Sequence, residues 1–295
     1  MKNIVCFGEV LWDVFPTHEK IGGAPLNVAL RLQSLGNQVA IISRIGEDEK
    51  GREIEKSIIE KGINTENLQV DRELNTGIVQ VTLSQNGSAS YDITFPRAWD
   101  HIQIDDKAIK ATQSADAFIY GSLVARDDES KHTLYELLKL AKYKIFDVNL
   151  RAPYYNMEVL GHLMKEADFI KFNDDEILEI GQELGSKSNS LDGNISFIAE
   201  LTDTKSICVT RGAHGAILYY RDNFYENKGY PIEVVDTVGA GDSFLASLIN
   251  GLIKAEDPQK TIDFACAIGA MVAGREGANP IFTPEEIQAF IKSRQ

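Results

Sequence analysis

The chain has 295 residues, and its 44 Asp and Glu outweigh its 30 Lys and Arg to give a formal net charge of −14. Such a charge repels nucleic acid and anionic membranes, so we expect neither as a partner. A small phosphate ligand stays compatible if backbone N–H groups, a few basic side chains and a metal ion attract it locally. The chain shows no leader-like segment and no long apolar run, which predicts a cytoplasmic protein.

The first 60 residues alternate between strand and helix patterns. Apolar β-rich runs at 3–10 and 38–46 are strand candidates, and helical spacing follows each of them. The apolar positions of these two helices are Ala24, Val28, Leu32 and Leu35, then Ile54, Ile58 and Ile59. This βαβα order predicts an α/β fold with a parallel sheet.

The same alternation continues further along the chain. The runs "DAFIYGS", "KIFDVN", "DFIKFN" and "SICVTRG" predict more strands, with helices between them at 128–142, 156–166 and 173–201. From residue 239 the pattern is helical to the end, with breaks near Pro258 and Thr283.

Two segments depart from this alternation. Residues 64–100 contain two alternating runs around Gln85-Asn86-Gly87-Ser88, a strong hairpin signal, and residues 214–228 predict a shorter hairpin. No helical segment covers the first hairpin, so we expect it to project from the core as a small sheet. Ile78 lies on one face of it and Val79 and Val81 on the other, and a lone hairpin cannot bury both.

The stretch "DTVGAGDSF" at 236–244 places glycines and an aspartate where a helical pattern begins. N–H groups at a helix start are unpaired and attract anions, and glycine lets a phosphoryl group approach them closely. Asp242 could then accept the proton of an attacking hydroxyl. The alternative is that Asp242 only complements the helix dipole.

A second polar set lies near the amino terminus, in "KIGGAPLNVALRL" at 20–32 and the loop before it. Asp13, the Gly22-Gly23 backbone and Asn27 form a good hydrogen-bonding set for uncharged sugar hydroxyls. Each of them could equally be an ordinary loop residue.

The two motifs together resemble the ribokinase or PfkB family of carbohydrate kinases. The segments "FGEVLWDVFP" and "GGAPLNVA" are most similar to its fructokinase branch. The resemblance covers essentially the whole chain and implies a ribokinase-like three-layer α/β/α sandwich with a small β-sheet lid. It implies a core of residues 1–11, 24–63 and 106–295, and a lid of residues 12–23 and 64–105.

The resemblance also implies roles for individual residues. Asp242 would be the catalytic base, and the amides of Gly239, Ala240 and Gly241 would form an anion hole. The sugar contacts would be Asp13, Gly22, Gly23 and Asn27, with Arg97 and Arg151 as further candidates in "FPRAWD" and "DVNLRAP". Surface salt bridges are an equally good account of both arginines.

The nucleotide and its ions follow from the same resemblance. Asn173 and Glu176 match a motif tied to Mg²⁺ and phosphate, although an Asn opening an acidic helix is also an ordinary cap. Thr210 and Gly212 would contact ATP. Asp236, Val238 and Gly277 would hold a monovalent cation such as K⁺.

The substrate expected from the resemblance is D-fructose, phosphorylated to fructose 6-phosphate. The two apolar faces of the hairpin predict in addition that the lid pairs with that of a second subunit, which gives a homodimer. Leu11 and "YGSL" at 120–123 lack polar contacts that ribokinases give their sugar. Alternatives are a 2-keto-3-deoxy sugar acid such as 2-keto-3-deoxygluconate, a tagatose-like ketose, a nucleoside, or a sensor of this fold without catalysis.

Overall fold

A computed structural model describes residues 1–83 and 89–293. Its strands are β1 (Asn3–Phe7), β2 (Leu11–Val14), β3 (Glu19–Gly22), β4 (Gln38–Gly46), β5 (Leu68–Asp71), β6 (Gly77–Leu83), β7 (Ala89–Ile93), β8 (Ala117–Gly121), β9 (Lys144–Asp147), β10 (Phe169–Asn173), β11 (Ser206–Thr210), β12 (Ala216–Tyr220) and β13 (Asn223–Asn227). Its α-helices are α1 (Ala24–Ser34), α2 (Glu49–Glu60), α3 (Asp106–Ser114), α4 (Asp128–Leu138), α5 (Met157–Glu166), α6 (Asp174–Glu183), α7 (Leu191–Thr202), α8 (Ala240–Ile253), α9 (Pro258–Ala273) and α10 (Pro284–Lys292).

The large sheet follows the strand order β13-β12-β11-β10-β9-β8-β1-β4-β5 within the described residues. Every neighbouring pair from β11 to β5 is parallel, and β12 with β13 adds the predicted antiparallel hairpin at one edge. The carboxyl ends of the parallel strands therefore meet along one edge of the sheet, where α/β folds bind their ligands.

Helices cover both faces of this sheet, which gives the predicted three-layer sandwich. Alternate strand residues point to opposite faces, so Phe118 and Tyr120 pack in one apolar cluster while Ala117 and Ile119 pack in the other. The first cluster includes residues of α3 to α7, and the second includes residues of α1, α2, α8 and α9.

The small sheet has the strand order β3-β2-β6-β7 in the part of the chain described. The predicted lid range 64–105 is wider than this sheet, because β5 pairs in parallel with β4 in the large sheet. The predicted turn at Gln85-Asn86-Gly87-Ser88 lies outside the described residues. Val79 and Val81 are buried in the first cluster, whereas Ile78 on the opposite face is only half-buried.

The prediction of a single helix over 173–201 is wrong, because two helices occupy this range. Helix α6 ends at Glu183 and Gly185 follows with a φ of 91°. Helix α7 starts at Leu191 after Ser190, whose side chain accepts from the N–H of Gly193. Among the described helices, none is long and apolar enough to span a bilayer.

Candidate active site

Helix α8 begins where the glycine-rich stretch predicts a helix start. Gly239 has a φ of 74°, a left-handed conformation that glycine adopts without the strain of a side chain. A Cβ atom there would also lie 2.5 Å from the Cβ of Ala278, so the loop around residue 278 packs directly on this glycine. Both the backbone angle and this close contact require glycine at position 239.

The first turn of α8 leaves two N–H groups available. The N–H of Ala240 donates to the carbonyl of Thr237 at 3.3 Å, whereas the N–H groups of Gly241 and Asp242 have no recorded partner among the described residues. Space for a ligand exists beside them, since the nearest atom to a Cβ on Gly241 would be the Nζ of Lys171, 3.7 Å away. An anion can approach this turn at Gly241.

The Asp242 carboxylate is held by a residue from the other end of the chain. The Nδ2 of Asn27 donates to Oδ2 of Asp242 at 2.8 Å, and Nδ2 of Asn279 donates to Oδ1 of Asn27 at 2.9 Å. Asn27 itself is buried in the first turns of α1. No hydrogen bond to Oδ1 of Asp242 is recorded within the described residues, so this oxygen is available to a substrate hydroxyl.

The surroundings of Asp242 make it a better base than an ordinary aspartate. Burial and the nearby Asp147 carboxylate raise its pKa, the Asn27 hydrogen bond and the charges of Lys171 and Arg151 lower it, and the net result is a pKa of about 6. At pH 7 the carboxylate is therefore still largely ionised and able to accept a proton.

Asp13 and the two glycines of the amino-terminal motif meet where the small sheet joins α1. A side chain at Gly22 would collide with the Asp13 carboxylate, and one at Gly23 would collide with the Glu9 carbonyl. Burial raises the pKa of Asp13 to about 6, against the charges of Arg151 and Lys20. Arg151 thus acts on both Asp13 and Asp242, although its side chain is exposed and hydrogen-bonds only its neighbouring carbonyl within the described residues.

Asn173 and Glu176 form a reciprocal capping box at the start of α6. Asn173 Oδ1 accepts from the Glu176 N–H at 2.8 Å, and Glu176 Oε2 accepts from the Asn173 N–H at 2.8 Å. Glu176 Oε1 accepts from the N–H of Leu150 at 2.9 Å, which ties α6 to the loop after β9. Burial raises the pKa of Glu176 even though Lys171 lies nearby.

A buried ion pair lies between these groups and α8. The Nζ of Lys171 donates to Oδ1 of Asp147 at 2.9 Å, and both side chains are buried. Burial alone would lower the pKa of Lys171, but the Asp147, Glu176 and Asp242 carboxylates raise it, so the amine stays charged. The second carboxylate oxygen of Asp147 is buried with no partner in the described part of the chain.

A cavity of about 550 Å³ opens beside the start of α8. Its polar wall includes Asn173, Thr210, Gly212 and Gly241, and its apolar wall includes Phe244. An apolar pocket with a few polar groups beside free N–H groups suits a nucleotide, with its base in the pocket and its phosphates at the helix. Another cleft, of about 700 Å³, lies at the amino ends of β1 and β4, away from these groups.

The chain is similar to known carbohydrate kinases over most of its length. The pfkB family of carbohydrate kinases matches residues 1–285. The chain belongs to this family. A probable fructokinase-2 of Arabidopsis thaliana is 27% identical to this kinase over 98% of this chain and 95% of its own length.

Two solved fructokinase structures share the fold of this kinase. The Xylella fastidiosa fructokinase with bound ATP superposes with a TM-score of 0.87 at 23% identity and 99% coverage of both chains. A double mutant of the Vibrio cholerae fructokinase, with fructose, ADP and a potassium ion bound, gives 0.85 at 22% identity, covering 99% of this chain and 98% of its own.

A lysine from β3 lies beside the loop that is predicted to hold a monovalent cation. Asp236 accepts hydrogen bonds from the N–H groups of Val238 at 3.0 Å and Gly277 at 3.1 Å, so the three predicted residues lie together. The Nζ of Lys20, on β3, lies 3.4 Å from Oδ2 of Asp236. Despite partial burial, these hydrogen bonds and this charge lower the pKa of Asp236.

Arg97 and Arg126 differ in their surroundings. Arg97 opens a short 3₁₀ turn, and its Nε is buried without a partner in the described residues. Arg126, which sequence reasoning missed, pairs with the buried Asp100 through two contacts of 2.7 and 2.8 Å. Its guanidinium also donates to the carbonyl of Thr94, just after β7. Arg126 thus fixes the base of the small sheet.

Sequence reasoning also missed Asn279 and the Lys171–Asp147 pair. Asn279 lies in a loop with no pattern of its own, so no sequence signal singled it out. Lys171 and Asp147 did carry a signal, because each places a charge in an apolar strand, Asp147 at the end of β9 and Lys171 in the middle of β10. They are direct register partners on the adjacent strands β9 and β10.

Proposed function

We propose that this pfkB kinase transfers the γ-phosphoryl group of ATP to a hydroxyl of D-fructose and forms fructose 6-phosphate. The observation that carries the proposal is the Asp242 carboxylate, held by Asn27 at 2.8 Å in the first turn of α8, beside two N–H groups that have no partner among the described residues. Phosphoryl transfer needs a base and a site for the transferred group. The carboxylate supplies the base, and the anion-binding turn beside it supplies the site.

On the acceptor side, Asp242 takes the proton of the attacking hydroxyl. The free Oδ1 faces the sugar while Asn27 fixes Oδ2, so the carboxylate is oriented before the substrate arrives. The oxygen–phosphorus bond to ADP breaks as the bond to the sugar oxygen forms, and the proton passes to Asp242. Asp13, near the same arginine, accepts hydrogen bonds from other sugar hydroxyls.

On the phosphate side, the N–H groups of Gly241 and Asp242 stabilise the transferred group. The residues present also fit a magnesium ion, since the second carboxylate oxygen of Asp147 is buried without a partner in the described chain and Glu176 lies nearby. Both would hold Mg²⁺ arriving with ATP, and the ion would offset phosphate charge.

Fructose is favoured over ribose because two positions offer the sugar no polar group. Leu11 is buried and apolar, and the Tyr120 hydroxyl donates to the Leu163 carbonyl at 3.0 Å. An unpaired sugar hydroxyl lowers affinity, so ribose is expected to be the poorer substrate. The fructokinase names of the Arabidopsis, Xylella and Vibrio proteins support the same choice.

The experiment is a substrate panel with ATP and Mg²⁺ fixed. ADP release is measured for fructose, tagatose, ribose, 2-keto-3-deoxygluconate and adenosine, and NMR identifies the phosphorylated carbon. We expect kcat/KM for fructose to exceed that for ribose at least roughly tenfold, with phosphate on carbon 6. A higher kcat/KM for ribose, the keto acid or the nucleoside would overturn fructose and leave a kinase. Phosphorylation of none would favour a sensor.

We further propose a homodimer formed through the small sheet. Within the described residues, its outer strands β3 and β7 each leave one edge unpaired, and Ile78 stays half-buried. Exposed strand edges of this kind are paired or protected in native proteins, and a second lid would do so. Sedimentation at micromolar concentration tests the proposal, and a strict monomer would contradict it.

The cytoplasm is the proposed location. Cys6, Cys208 and Cys266 are all buried and unpaired, which suits a reducing compartment. Cell fractionation with the native chain tests this, and recovery from an oxidising compartment would contradict it.

A further inference from the structure

Lys171 is a buried lysine that has no role in the reaction proposed above. It is 7% exposed, lies in the middle of β10, and has its amine beside the start of α8. A buried ammonium group is costly to keep unless it has a structural partner or a ligand. Asp147 is a partner, but it accounts for only one of the three N–H donors.

The position of the amine is defined from two sides. On one side, Oδ1 of Asp147 accepts from Nζ at 2.9 Å. On the other side, Nζ lies 3.7 Å from the point where a Cβ of Gly241 would stand. The ammonium therefore borders the open space beside Gly241, which is where an anion reaches the free N–H groups of the α8 turn.

The negative charges around Lys171 outnumber its single positive charge. Asp147, Glu176 and Asp242 all act on its charge. Among the described residues, Nζ makes no recorded hydrogen bond other than the one to Asp147. Two N–H donors of a fixed cation thus remain at the edge of the anion-binding space.

We propose that Lys171 is a catalytic residue that donates hydrogen bonds to the phosphoryl group as it passes from ATP to the sugar. The proposal rests on the proposed function. The ammonium keeps its proton throughout, since the hydroxyl proton goes to Asp242 and ADP leaves with the electrons of the broken bond. A positive charge fixed by Asp147 stabilises the negative charge on the transferred group without having to reorganise.

The test compares Lys171→Met with Lys171→Gln, which can still donate to Asp147 but carries no charge. Lys144→Met is the control, because Lys144 also pairs with a carboxylate, Glu166 at 3.2 Å, at the opposite end of the neighbouring strand β9. Thermal unfolding establishes which variants fold. Should Lys171→Met be unfolded, Lys171→Gln carries the test alone, because its amide keeps a hydrogen bond to Asp147.

Two readouts separate a catalytic role from a structural one. The first is kcat, which should fall by roughly 10²–10³ in the folded Lys171 variants and stay near wild type in the control. The second is affinity for ADP with aluminium fluoride, a mimic of the transferred phosphoryl group. It should fall at least about 50-fold, while affinity for ADP alone changes less than about 5-fold.

Equal losses of both affinities would make Lys171 a structural residue, and unchanged values in a folded variant would also overturn the proposal. The aluminium fluoride titration needs no sugar, so its result stands even if fructose is the wrong substrate. If the wild type phosphorylates no sugar of the panel but binds ADP with aluminium fluoride, and the Lys171 variants lose this affinity, fructose is rejected and the proposed role of Lys171 stands.

Discussion

Asn27 and Asp242 are 215 residues apart in sequence, and their side chains are joined by a hydrogen bond of 2.8 Å. This contact brings the amino-terminal motif to the start of α8. Asn279 holds the other end of the same amide, so Asn27 cannot rotate its oxygen and nitrogen without losing both bonds. The orientation of the proposed base therefore depends on a residue that takes up no proton itself.

Replacing Asn27 should lower the turnover number more than it lowers the stability of the fold. Asn27→Ala leaves the Asp242 carboxylate free to rotate, and we expect kcat to fall roughly 10–100-fold while ATP affinity stays within about 3-fold. Asn37→Ala is the control, because Asn37 bonds Asn250 in the same buried layer without contacting Asp242. Steady-state kinetics and ATP titration measure the two effects, and a kcat equal to wild type would contradict the positioning role.

The activity should decline in mildly acidic solution. The pKa values of Asp242 and Asp13 are both raised to about 6, chiefly by burial, so these groups are ionised above that pH and protonated below it. We expect kcat/KM to be constant above about pH 7 and to fall as pH decreases through 6. Arg151→Gln removes a charge that lowers both pKa values, so the decline should begin at higher pH. A wild-type decline centred near pH 4 would contradict this environment.

Two glycines of the same motif should respond differently to substitution. Gly239→Ala meets a left-handed φ and the Ala278 side chain, so it should destabilise the fold and lower Tm. Gly241 has no such φ, and Gly241→Ala should leave Tm within about 2 °C while it narrows the anion-binding space and lowers kcat at least roughly tenfold. Thermal unfolding and kinetics on the two variants check this. Equal Tm losses would mean that Gly241 is structural.

Lys20 should reduce the need for potassium. Its ammonium lies 3.4 Å from Oδ2 of Asp236, so a positive charge already balances the predicted cation loop. We expect less than about twofold activation of the wild type when KCl replaces choline chloride. Lys20→Met should become potassium-dependent in both ATP affinity and kcat. Lys50→Met removes another lysine, which pairs with Glu19 of β3, and this variant should not become potassium-dependent. Strong potassium activation of the wild type would show that Lys20 does not replace the ion.

The fold followed from the sequence wherever local pattern decided the structure. Three such features were predictable, because each depends on neighbouring residues. They are the apolar runs at β1 and β4, the hairpin of β12 and β13, and the start of α8. Strand β5 was not, since a four-residue segment with little alternation joins the large sheet only through its pairing with β4. The division of α6 from α7 depends on Gly185, which helical spacing alone does not reveal.

The candidate site was predictable as separate motifs and not as contacts. Asp242 and Asn27 each stood in a polar segment at a helix start, but their hydrogen bond depends on how α1 packs against α8. Lys171 and Asp147 were visible as charges in apolar strands, and only the order of β9 and β10 makes them partners. Lys20 lies on a strand of the small sheet and Asp236 lies in the loop before α8, so no spacing rule relates them.

The most direct test of the account is the turnover of Asp242→Asn with fructose, ATP and Mg²⁺. The amide can still accept from Asn27 but has no basicity, so kcat should fall by roughly 10²–10⁴ while ATP binds as in the wild type. Tm should not fall at pH 8, because burial disfavours the ionised carboxylate that the amide replaces. A folded Asp242→Asn with nearly wild-type kcat would contradict the role of Asp242 as the base.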